Sequence, residues 1–236
     1  MTEKREGCSS HGEQILMILK IDSEINTRFP DLNTLIIQIK DVKIQKIDDE
    51  LEKIKLEVIE QVRKEYNINL LKDKKTFRIY RDFFWKIGID PTKIRPAAEA
   101  LIRRILSGKT IPRINTLVDA YNLASIKSGI ALATFDTDKL DSDILMRFAE
   151  KGEQFYGIGM EKPLILKGGE IVISDNEKLI AVYPYRDAEN TKVTEKTQNI
   201  TIIVCGVPGI SKEILSEALW IVFEYVTTFC GGTLSE

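Results

Sequence analysis

Residues 112–136 read PRINTLVDAYNLASIKSGIALATFD, and the change of character at Gly129 decides the fold. Before it, Leu117, Val118, Tyr121 and Ile126 make the apolar face of a helix. Asn115, Asp119 and Asn122 follow one another at spacings of four and three, so the same helix stacks them in one polar stripe. Two local readings compete for that stripe. Thr116 with Asp119 three residues on has the form of a capping box, and Asn115 is equally suited to cap the helix itself. Neither accounts for Asn122, a weak helix former one turn further in.

Upstream of this stretch the chain is mainly helical. ILMILKI (15–21) and LIIQIKDVKI (35–44) read as strands, separated by a loop around Phe29-Pro30-Asp31. Residues 48–66 repeat Leu51, Ile54, Val58 and Val62 among charges, with acids in the first turn, as an amphipathic helix does. A helix over 73–88 is stopped by Gly88 and Pro91, and another runs from about Pro96 to Ser107, with Gly108 just past its end. Downstream of Gly129 come short β-branched and aromatic runs: IALATFD, DILMRFA, QFYGIGM, EIVISD, LIAVYPY and NITIIVCGV. SKEILSEALWIVFEYVTTF closes the chain as a helix, with Ser211 as its N-cap and Gly231-Gly232 at its end. That helix suits an interface as well as a core. Clustered helices followed by clustered strands predict an α+β fold with largely antiparallel sheets.

Composition narrows the chemistry. The 236 residues are 43% hydrophobic and 30% charged with a net charge of −2, which argues against a polycation that grips nucleic acid nonspecifically. Three cysteines without framework spacing, and a start without a signal-like apolar run, fit a reduced, cytoplasmic setting. The single histidine, His11, falls in a polar leader. Serine–histidine and cysteine–histidine pairs and histidine metal sites within the fold are thereby excluded. Cys8 and His11 alone make a poor metal site, so neither metal nor cofactor is expected.

Two further clusters stand out. Between Lys93 and Arg113 lie Lys93, Arg95, Arg103, Arg104, Lys109 and Arg113 against one acid, Glu99, suiting either a phosphate landing site or a solvated helix face. In KGGEIVISDNEKLIAVYPYRDAENTKVT, Gly168-Gly169 clears space beside Glu170, and the second strand runs out into Arg186, Asp187, Glu189, Asn190 and Thr191. Such a loop is either a polar turn with an internal Arg–Asp pair or a strand end that presents acid, amide and hydroxyl to a small ligand.

PRINTLVDAYNLASIKSGIALATFDTDKL resembles a segment of the phenylalanyl-tRNA synthetase beta subunit that reads P-x-x-N-x-x-V-D-x-x-N, then small and apolar residues, then F-D-x-D-K-L. GGEIVISD and RDAENTKVTEKTQNI resemble two later segments of the same domain, in the same order, over about Tyr80 to Val204. In that family the domain is an editing module, which binds the acceptor end of tRNA and hydrolyses wrongly attached amino acid. The resemblance implies a layered sandwich of mainly antiparallel sheets with flanking helices, around a cavity roomy enough for an esterified adenosine. Residues 1–14 would be a disordered leader and 15–236 one domain, with 15–70 a semi-separate element.

The resemblance implies Asn122, Thr191 and Asp187 as catalytic groups and Asn115, Asp119, Glu170, Arg186 and Glu189 as substrate contacts. Arg95, Arg103, Arg104, Lys109 and Arg113 would meet tRNA phosphates. The partner implied is tRNA, not DNA or a membrane, and the reaction is ester deacylation by a positioned water without metal. Two departures bear on it. Bacterial synthetases carry a histidine where this chain has Ala133 or Thr134, as archaeal-type domains also do without; and Asp187-Ala188 replaces the two glycines before the glutamate that matches Glu189. A non-catalytic binding module for tRNA, amino acid or peptide, and an enzyme acting on a small amide or ester, are the competing classes.

Overall fold

The computed structural model describes residues 19–141 and 143–235. Strands β1 (Leu19–Ile21), β4 (Ile144–Phe148), β7 (Ile171–Ser174), β8 (Leu179–Val182) and β9 (Arg186–Asp187) form one sheet in that order. Only its β1–β4 pair is parallel. A second, antiparallel sheet has the order β11 (Thr233–Leu234), β2 (Leu35–Lys40), β10 (Ile200–Cys205), β3 (Ala131–Asp136). A hairpin of β5 (Gln154–Phe155) and β6 (Leu164–Ile165) stands apart. The fold is therefore α+β and layered, as the element order predicts.

Period-two alternation assigns the layers. Ile171 and Ile173 of β7 and Ala131, Ala133 and Phe135 of β3 meet Ile203 and Cys205 of β10 in the core between the sheets. Val172 and Val182 turn to the opposite face, where Phe155 and Leu166 cover them. On the far side of the second sheet, Ile200 and Ile202 pack against α5 (Thr116–Ser128) and α6 (Lys212–Cys230) through Leu117, Ala120, Ala124, Val222 and Val226. A further helical layer joins α2 (Asp49–Glu65), α3 (Lys75–Lys86) and α4 (Ala97–Leu106) through Leu51, Phe77, Ile102 and Ile105. Burial of each such side chain contributes roughly 1.5–3 kcal/mol. Residues 19–65 thus supply a strand to each sheet and a helix to the outer layer.

Local chemistry sets the helix ends. Asp48 caps α2 by accepting from Leu51 N at 2.8 Å, and Ser211 caps α6 by accepting from Ile214 N. Asn115 caps α5, accepting from Val118 N at 2.9 Å, so Thr116 is not the cap; its hydroxyl accepts instead from Gln45 N at 3.0 Å. Gly129 ends α5 with φ +73, a left-handed conformation that suits glycine, and the chain turns straight into β3. Two expectations need correction. The loop before Pro30 holds a six-residue helix, α1 (Ser23–Arg28), capped by Asp22; and QFYGIGM keeps only two residues of strand. The leader with His11 and Cys8 lies outside the described residues.

Candidate functional site

Strand β3 edges one sheet and β9 edges the other, and the two edges meet. Where they meet, a cavity of about 170 Å³ opens beside α5. Its wall includes Asn122 and Tyr121 of α5, Leu132 and Ala133 of β3, Arg186 and Asp187 of β9, Tyr183 and Tyr185 just before them, Cys205 of β10, and Ala97 at the start of α4. Asn122, Arg186 and Asp187 are thus brought together from positions more than sixty residues apart in the chain.

The electrostatics centre on Asp187. Burial lifts its carboxyl from the ordinary 3.8 to about 7, against the pull of the Thr134 amide and the neighbouring Arg186 guanidinium. Burial likewise raises the Tyr121 phenol, reinforced by Asp187 and Asp119, so that phenol remains a hydrogen-bond donor throughout the physiological range. Burial also pushes the Cys205 thiol well up, aided by Asp187. A protonated, enclosed thiol is no nucleophile. Arg186, an exposed residue whose aliphatic stem passes over Gly157, donates from Nη1 to Ile158 O at 3.1 Å. The site therefore offers one carboxyl poised near neutrality with an amide and a phenol as donors.

The polar stripe of α5 divides. Asn115 is spent on the helix cap, and Asp119 is 2% exposed, ion-paired through Oδ2 to Lys55 Nζ at 2.6 Å and accepting from Ile114 N through Oδ1 at 3.1 Å. Both side chains serve the architecture of α5 and stand outside the cavity wall; of the stripe, Asn122 alone lines it. Thr191 is also displaced. It closes the 3₁₀ turn Glu189–Thr191, is fully buried, and lies outside the wall. Glu189 pairs with Lys192, the residue that follows this turn, and lies outside the wall. Glu170 accepts from Lys167 N at 2.9 Å and sits near the cavity-lining Tyr185, whose phenol is raised first by burial and then by that carboxylate.

The cations separate in a similar way. Arg95, Arg103, Arg104 and Lys109 line one groove with Lys93, enclosing about 440 Å³ around the end of α4. Arg113 is not part of it; its guanidinium pairs with Glu52 of α2. At about 170 Å³ the cavity lies below the roughly 300–1,000 Å³ of pockets that engulf a drug-sized ligand.

Sequence reasoning did not single out Ala97, Tyr183, Tyr185 or Cys205 as site residues. The aromatic pair beside the Arg186–Asp187 strand end was its one available signal. Among the described residues, no helix is long and apolar enough to cross a membrane, and no group of three or more His, Cys, Asp or Glu is placed to hold a metal ion.

A two-sheet sandwich flanked by helices, with a small cavity of mixed apolar and polar lining between its sheet edges, defines the structural class. The family model described as the B3/4 domain matches residues 79–231, and the chain belongs to that family. It is 33% identical over 117 residues to the phenylalanine–tRNA ligase beta subunit of Fusobacterium nucleatum, and 37% identical over 119 residues to that of Protochlamydia amoebophila. These matches cover 49% and 50% of this chain but only 14% of each relative. In fold it is similar to an N-terminal fragment of the phenylalanyl-tRNA synthetase beta subunit of Pyrococcus horikoshii. The TM-score is 0.50 at 15% identity, over 92% of this chain and 50% of the other.

Proposed function

We propose that this protein binds tRNA and hydrolyses the ester of wrongly charged aminoacyl-tRNA in trans. One arrangement carries the reading: the carboxyl of Asp187, raised toward neutrality by burial, shares a cavity with the amide of Asn122 and the phenol of Tyr121. Family membership, the beta-subunit relatives and the basic groove support it.

An aminoacyl ester is reactive enough that a positioned water and a stabilised oxyanion suffice. Asp187, ionised, takes a proton from water as the water oxygen bonds to the ester carbonyl carbon. Asn122 and Tyr121 donate to the carbonyl oxygen while it carries negative charge. Collapse of the tetrahedral intermediate breaks the bond to the ribose oxygen, which leaves with the proton held by Asp187. Arg186 stands at the rim, and the carboxylate of Glu170, near Tyr185 but outside the cavity wall, is assigned to the substrate ammonium. A pKa near working pH is what a general base requires, and such a base contributes roughly 10²–10⁴-fold.

The test is a deacylation time course on correctly and incorrectly charged tRNAs. Wild type is expected to clear at least one mischarged species, and Asn122→Ala to slow that clearance at least tenfold. Hydrolysis of every species at the rate of buffer alone would sink the enzymatic reading. It would leave the second reading, a non-catalytic tRNA-binding module, which the displacement of Thr191 from the cavity wall favours.

A further inference from the structure

Helix α6 keeps one face that the fold does not use. Its buried side is the line of Leu215, Ala218, Val222, Val226 and Cys230. Glu213, Glu217, Trp220 and Glu224 follow one another at spacings of four, three and four, so they share a stripe on the outer side. Trp220 is 68% exposed, yet its ring is held edge to face against Phe223, with centroids 5.9 Å apart and planes at 83°. Ile214, exposed, and Ile221, half-buried, border the same stripe.

The stripe carries charge of one sign. Glu217 and Glu224 are exposed about one turn to either side of Trp220, and among the described residues neither forms an ion pair. Lys212, at the first position, is the one cation of the helix. An exposed tryptophan braced by a neighbouring ring is the side chain that most often anchors a protein interface, and the free carboxylates around it set the sign of what can cover it. A second copy of this chain does not match. Antiparallel pairing of two α6 helices about Trp220 sets Glu217 of each against Glu224 of the other, and parallel pairing sets each glutamate against itself. Nucleic acid is repelled by the same carboxylates.

We infer that this face of α6 docks a basic amphipathic helix of another protein. The apolar side chains of that helix cover Trp220 and Ile221, while its Lys or Arg residues, about one turn to either side, reach Glu217 and Glu224. No residue of α6 lines the cavity or the basic groove, so the docking face is separate from the proposed deacylase site and does not depend on it.

The experiment titrates fluorescein-labelled peptides of about twenty residues with the full chain and reads anisotropy at several salt concentrations. One peptide sets leucines on a single helical face between lysines; a second has the same composition with that periodicity scrambled; a third replaces lysine by glutamate. The first is expected to bind at least tenfold more tightly than either of the others, and less tightly as salt rises. Trp220→Ala should lose at least tenfold of that affinity, and Glu217→Gln combined with Glu224→Gln about five- to tenfold. All three side chains are exposed, and unchanged melting temperatures check the fold. In a Trp85→Phe chain, where Trp220 is the one tryptophan left, the first peptide should move the emission to shorter wavelength. Ordered peptide bound no better than scrambled, affinity that survives either set of substitutions, or an emission that does not move overturns the inference. So does a concentration-dependent dimer in sedimentation that Trp220→Ala abolishes, which would give the face to a second copy.

Discussion

Replacing Asp187 by asparagine should stabilise the fold in base and not in acid. The wild-type carboxyl loses its proton at about pH 7 when folded, against 3.8 in the ordinary exposed state. Between those values the folded chain holds a proton that the unfolded chain has released, so stability falls as pH rises through the interval and levels off above it. At 1.36 kcal/mol per pH unit the interval corresponds to at most about 4 kcal/mol. The carboxyl borders a cavity and has Arg186 beside it, so screening reduces the realised effect to roughly 1–2 kcal/mol. Asparagine keeps an oxygen for the Thr134 amide and carries no charge to bury. Thermal melts of wild type and Asp187→Asn should then coincide within about 1 °C at pH 4 and diverge at pH 8. The variant should melt roughly 2–8 °C higher there, since 1 kcal/mol shifts a chain of this size by about 2–4 °C. Equal melting temperatures at pH 8, or the same offset at both pH values, would refute the buried-carboxyl argument.

Other outcomes separate architecture from site. Lys55→Ala strands Asp119 as an uncompensated buried charge and should cost about 3–5 kcal/mol in urea unfolding; a loss below about 1 kcal/mol would contradict the pairing. Asn115→Ala removes the α5 cap and should cost about 1 kcal/mol in the same assay, without changing tRNA affinity. Thr191→Val puts an apolar isostere where a fully buried hydroxyl sits outside the cavity wall; stability should change by less than about 1 kcal/mol and deacylation by less than threefold, whereas a tenfold slower reaction would return Thr191 to the catalytic set.

Much of the scaffold could be read from periodicity and end signals. The apolar repeat of Leu51, Ile54, Val58 and Val62 locates α2, although its buried face runs through Leu51, Ile59 and Val62, and the cap at Ser211 locates the start of α6. What could not be read was created by pairing. The two-residue β9 exists because Ala181 and Val182 offer it partners, and β1 joins its sheet by lying parallel to β4, a segment far along the chain. Helix α1 is too short to show a repeat and contains Asn26 and Thr27, both weak helix formers. The same division holds at the site. Asn122 could be singled out as a polar residue with no local duty, and Arg186 and Asp187 as part of a polar strand end, but the duty of Asp119 depends on Lys55, sixty-four residues away, and no local pattern reveals such a partner. Thr191 is hidden for a similar reason: its burial is a property of the packed turn and not of its neighbours in sequence.

The most direct measurement is the pH dependence of single-turnover deacylation of a mischarged tRNA, corrected for spontaneous hydrolysis, for wild type and Asp187→Asn. The account predicts a rate that climbs through an inflection near pH 7 and then flattens in wild type, and a rate at least a hundredfold lower without that inflection in the variant. An inflection that persists in Asp187→Asn, or a variant as fast as wild type, would contradict it.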